Sequence, residues 1–89
     1  MKYLIVIDDQ FYGKYERYYA DYKNIKSAIR GVRRTADKMS RYVHQFSSFV
    51  KRDDNGEYAK ASWGAHPTGE LTGLCSYAYI IPATLEETE

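Results

Sequence analysis

One cysteine, Cys75, stands in the whole chain. It excludes an internal disulfide and fits a reducing compartment or an indifferent one. Long apolar runs are missing as well. The N-terminal run, Tyr3 to Ile7, is five residues long before Asp8 and Asp9 interrupt it. A membrane helix needs about 20 apolar residues and a secretory signal core about 7–15, so neither a membrane segment nor a leader is expected and the chain reads as cytoplasmic. No Cys-x-x-Cys, His-x-His or His-Glu-x-x-His pattern occurs. The spacing by which neighbouring side chains ligate a metal is therefore absent, and no metal or other cofactor is expected. Glycine is sparse where a phosphate-binding loop would need it. Gly13 stands alone after Asp8–Asp9, and the stretch Gly64–Gly73 fits no phosphate-loop pattern. These gaps argue against an enzyme.

Four residues could still invite a metal or nucleophile: His44, His66, Glu70 and Cys75. His44 falls on the core side of an expected hairpin, and Cys75 in a strand reads as a small buried hydrophobe. His66, beside Pro67 in a glycine-rich loop, is the one candidate for a loop contact with a partner.

What the chain does have is tyrosine: ten in 89 residues, five of them between Tyr12 and Tyr22. Tyrosine joins a large rigid ring to one polar tip, so it serves equally in a core or in an interface. The second abundance is local positive charge. From Lys23 to Arg41 there are seven basic residues and one acid, Asp37, a balance of +6. The remainder holds six basic residues and eleven acids, a balance of −5, so the net charge of +1 conceals a strong dipole.

Eighty-nine residues make one domain and not two. The expected layout is a single α+β domain over residues 1–84 and an acidic tail over 85–89. Lys2–Asp8 is apolar on both sides, as in a central strand covered on both faces. Residues 24–41 carry Ile25, Ala28, Ile29, Val32, Ala36 and Met39 at steps of three and four, one face of a helix with Asn24 as its N-cap. Gly31 within it costs roughly 1 kcal/mol against alanine, so it is tolerated or permits close packing on the sheet. Residues 42–51 and 57–63 form a hairpin around Asn55–Gly56. A two-residue loop would pair Val50 with Ala61 and a four-residue loop Val50 with Ala59. Either register leaves His44, Phe46, Ser48, Val50, Ala59, Ala61 and Trp63 on one side. Residues 64–73 read as a mobile loop and residues 74–81 as a final strand stopped by Pro82.

Residues 11–22 admit two readings. Phe11, Tyr15, Tyr18, Tyr19, Tyr22 and Ile25 have helical spacing, whereas tyrosine prefers strands and Asp21–Asn24 looks like a turn. The strand is favoured and gives the order ββαβββ, one amphipathic helix on a four- to five-stranded, mainly antiparallel sheet. The helical alternative gives βααβββ.

Lys26, Arg30, Arg34 and Lys38 fall in one line along the helix, with Arg33 and Arg41 beside it. Each like-charge pair four residues apart costs roughly 0.2–0.5 kcal/mol in an isolated helix. Such a stripe is either a docking surface for phosphates or an acidic protein, or a solvated face neutralised by Glu16, Asp21 or the tail. With Tyr15, Tyr18, Tyr19 and Tyr22 it would make one aromatic-basic patch. The expected function is a non-enzymatic protein-binding module that docks on an acidic groove of a larger protein. Small free-standing proteins without catalytic motifs often inhibit or modulate nucleic-acid-handling machinery, phage-encoded inhibitors among them, and that class, not any residue of this chain, supplies the expectation. Two alternatives stand beside it: direct nucleic-acid binding through the same residues, and a homo-oligomer in which the basic helix meets a neighbour's acidic surface.

Overall fold

The aliphatic run near the N-terminus forms the first strand, β1 (Lys2–Asp9), and turns back at Gly13, whose φ of 65° suits a residue without Cβ. The tyrosine segment then runs antiparallel to it as β2 (Lys14–Asp21), with Ile5 opposite Tyr18 and Asp8 opposite Tyr15. The computed structural model describes residues 1–10, 13–39, 43–54, 56–64 and 76–83, with the side chain of His44 left aside. The expected loop over 64–73 falls almost wholly outside these residues, as does the acidic tail.

The strand reading of residues 11–22 holds over β2, and the order of elements is ββαβββ. After β2 comes the helix α1 (Ile25–Met39), then β3 (His44–Asp53), β4 (Gly56–Gly64) and β5 (Ser76–Pro82). All five strands join one antiparallel sheet in the order β2-β1-β5-β4-β3. The helix therefore connects the two edge strands and has to cross one whole face. Fifteen residues at about 1.5 Å each give about 22 Å, and four strand spacings of about 4.8 Å give about 19 Å, so its length suits the crossing.

Asn24 caps the helix: its Oδ1 accepts from the Ser27 backbone N–H at 2.9 Å. Lys14 closes the other end, its Nζ donating to the Met39 carbonyl at 3.1 Å, where a cation also complements the helix dipole. Ile25, Ala28, Val32 and Ala36 face the sheet and meet Tyr3, Ile5, Ile7, Ala59, Ala61, Trp63, Ala78 and Ile80. Phe46 stacks on Trp63 with ring centroids 5.7 Å apart. Gly31 sits where α1 passes over Tyr22, and a Cβ there would collide with the Tyr22 ring. The close-packing reading of that glycine is the one that applies.

Two expectations need correction. The Val50–Ala59 pairing is observed, yet the chain turns through two residues, with Asp53 opposite Gly56. Gly56, at φ 121°, closes the hairpin where it was expected inside the loop. A bulge between His44 and Ser47, with Gln45 at φ 54°, interrupts the alternation there, and Phe46 packs on the expected core side. The second correction concerns β1. It lies inside the sheet, but only one of its faces has a layer of helix above it. Leu4 on the other face is nonetheless buried, with Tyr19 and Ile81 as its cross-strand neighbours. Large side chains on adjacent strands substitute for a second layer, which is why its sequence reads as apolar on both sides.

Candidate binding surfaces

The helix presents its cations on the side away from the sheet. Lys26, Arg30, Arg33, Arg34 and Lys38 are all exposed. This follows from the 3.6-residue period: the apolar positions take the sheet side and the four-residue line of cations takes the other. Arg33 leans over the Phe46 ring at 5.3 Å, and Arg30 donates to the Ser27 hydroxyl at 3.2 Å. Among the described residues no carboxylate lies within salt-bridge distance of Lys26, Arg30, Arg34 or Lys38; the ion pair seen there is Arg52–Glu57 at 2.9 Å, on the far hairpin. Arg41 and His66 lie outside the described residues.

The tyrosines do not join this stripe as one patch. A strand alternates its side chains, so Tyr18 and Tyr22 point under the helix while Tyr15 and Tyr19 point to the opposite face of the sheet. Tyr18 donates to Thr35 Oγ1 at 3.4 Å, and Thr35 in turn donates to the Gly31 carbonyl at 3.1 Å. Burial raises the Tyr18 phenol above its ordinary value of 10.0, a shift the Thr35 hydrogen bond partly opposes. Tyr3 is raised for the same first reason, with the Glu57 charge adding to it. Tyr15 and Tyr19, at 63% and 45% exposure, are surface rings. The expected patch is thus two surfaces on opposite sides of the domain.

The second surface was not foreseen. On the uncovered face of the sheet, cross-strand neighbours form a row running Arg17–Val6–Tyr79–Lys60–Phe49. A second row beside it runs Tyr15–Asp8–Tyr77–Ser62–Ser47. Phe49 is 59% exposed and Tyr79 40%. The Lys60 ammonium lies 5.4 Å from the Tyr77 ring centroid and 5.5 Å from that of Tyr79, within cation–π range of both. A cleft of about 350 Å³ opens here between Ser47, Ser48, Phe49, Lys60, Ser62 and Tyr77. The signal was present in the alternation of Tyr77, Tyr79 and Ile81 against Ser76, Ala78 and Ile80. Its meaning depended on strand order, which no local pattern carries.

Asp9 is buried and accepts from the Ser76 hydroxyl at 3.0 Å, a link between β1 and the start of β5. That places it in the packing of the fold. Among the described residues no three His, Cys, Asp or Glu side chains gather as metal ligands would, and no helix is long and apolar enough to cross a membrane. Comparison with known proteins finds no matching family model, no matching curated protein and no matching solved structure.

Proposed function

We propose that this chain is a non-enzymatic protein-binding module that docks on an acidic surface of a larger protein and so inhibits or modulates it. The contact surface is the outer side of α1, with Lys26, Arg30, Arg34 and Lys38 as its line of cations. One observation carries the reading: these four side chains are exposed, sit at like-charge spacing, and have no carboxylate partner among the described residues. The arrangement costs helix stability locally, which an external anionic surface would offset. Arg33 belongs to the rim of this surface, since its guanidinium also rests on Phe46. Tyr18 and Tyr22 support the helix from beneath and serve the site by positioning it.

The test is capture of partner protein from nuclease-treated lysate of the native source by wild type and by an Arg30→Glu/Arg34→Glu variant. A specific protein retained by wild type, released by salt and lost by the variant at unchanged melting temperature supports docking through the helix. Equal retention by both removes α1 as the contact surface.

A further inference from the structure

We propose that the open face of the sheet is a second, separate site, and that it takes single-stranded nucleic acid by stacking bases on its rings. Such sites combine accessible aromatic faces with cations that follow a phosphate backbone, and they need no sequence-specific pocket. Both components are present here. The row Arg17–Val6–Tyr79–Lys60–Phe49 contains two cations, two exposed rings and no acid. Tyr79 and Phe49 stand on strands two apart, about 10 Å at the usual strand spacing, with Lys60 on the strand between them. Bases stacked on the two rings would therefore bracket a phosphate over the Lys60 ammonium.

The neighbouring row completes the cleft. The Ser47 and Ser62 hydroxyls lie 3.3 Å apart and can turn outward to donate to phosphate or sugar oxygens. Gln10 Nε2 donates to the Tyr77 hydroxyl at 2.7 Å, which holds that ring in place. Lys60 is the ionised side chain among the residues that line the cleft. Asp8 is the carboxylate nearest to it in these rows, and it lies beyond Tyr77 toward β2. Its charge disfavours a phosphate backbone along the Tyr15–Asp8 end of that row, which leaves the neighbouring row with Tyr79, Lys60 and Phe49 as the path. An acidic polypeptide would use the same lysines but would leave the flat faces of Phe49 and Tyr79 without stacking partners. The rings favour nucleic acid.

The experiment is fluorescence anisotropy with a labelled single-stranded oligothymidine, beginning at about 50 mM salt, where contacts to phosphate are strong. Wild type should bind, and Phe49→Ala and Tyr79→Ala should each weaken binding about tenfold, in the range expected for loss of one base–aromatic stack. Lys60→Ala should lower the slope of log affinity against log salt by about 0.7, the release due to one phosphate contact. The Arg30→Glu/Arg34→Glu variant should bind within about threefold of wild type, since its changes lie across the domain at about a Debye length or more. Melting curves of each variant establish that it is folded. Three results would overturn the proposal: no binding by folded wild type, wild-type affinity in Phe49→Ala and Tyr79→Ala, or displacement of the oligonucleotide by polyglutamate in a manner that depends on Lys60. Protein capture through α1 is read in a separate assay, so either site can fail while the other stands.

Discussion

The two faces of the sheet are built from the same five strands and solve opposite problems. Beneath α1 the strands carry Ile5, Ile7, Ala59, Ala61, Ala78 and Ile80 around the buried rings of Trp63 and Tyr3. Small and aliphatic side chains let a helix lie close, and four of its own contacts, Ile25, Ala28, Val32 and Ala36, are equally compact. On the open face the same strands carry Tyr15, Tyr19, Phe49, Tyr77 and Tyr79 with Lys60 and Arg17 among them. Tyr19 flanks Leu4 on this face without a second layer above it, and the exposed rings leave apolar area in contact with water. One face is packed for stability. The other has aromatic surface beyond what the fold requires, and function is the reason we assign to it.

The sharpest way to break this comparison is to cut each face in turn. Trp63→Ala should cost about 3–5 kcal/mol in urea unfolding, because the cavity left under α1 cannot collapse without moving Phe46 and the helix. Tyr79→Ala on the opposite face should cost about 1 kcal/mol or less. Comparable losses at the two positions would mean that the open face is as structural as the covered one. The contact between α1 and β2 gives the next largest effect. Gly31→Ala gains helix propensity of about 1 kcal/mol but forces the Tyr22 ring aside, an overpacking cost of about 1–3 kcal/mol, so the expected net change is destabilising. In a Tyr22→Ala background the same substitution should become stabilising, and the coupling is read from a double-mutant cycle. Asn24→Ala should remove the N-cap bond and cost about 1 kcal/mol, a check that the helix starts where its cap stands.

Two smaller effects refine the picture. Tyr18 and Tyr3 ionise above the ordinary tyrosine value because burial disfavours the phenolate. Their folded values exceed the unfolded one, so the associated stability is fully present below about pH 10 and is lost as pH rises through the folded values. Phenolate absorbance of the folded protein should accordingly show a fraction ionising above the ordinary tyrosine range, and Tyr18→Phe and Tyr3→Phe should each remove part of it. An unchanged high-pH fraction in both variants would contradict the burial of these two rings. Least of all, Arg30→Glu/Arg34→Glu should leave stability within about 0.5 kcal/mol or raise it, because like-charge neighbours are relieved.

Elements determined by local pattern were readable in the sequence. The helix followed from six apolar positions and one cap, and the hairpin's inward face followed from alternation that survives a change of turn. The tyrosine segment was ambiguous because its spacing suits a helix while its composition suits a strand. Alternation then sent Tyr18 and Tyr22 one way and Tyr15 and Tyr19 the other, which no residue count could foresee. The open-face rows were hidden for a different reason. They exist only because β5, last in the chain, inserts between β1 and β4. That pairing spans more than sixty positions of sequence, as in Val6 opposite Tyr79, and leaves no local trace. The bulge at Gln45 was likewise silent, since nothing about glutamine announces a positive φ.

The central claim is that the two surfaces, the outer side of α1 and the open face of the sheet, bind independently and by different chemistry. Amide chemical-shift mapping on the isotope-labelled chain tests it most directly, with single-stranded oligothymidine and polyglutamate added in separate titrations. The account predicts that oligothymidine shifts the amides of Phe49, Lys60, Tyr77 and Tyr79, and that polyglutamate shifts those of Lys26, Arg30, Arg34 and Lys38. Shifts confined to α1 with both ligands would contradict it.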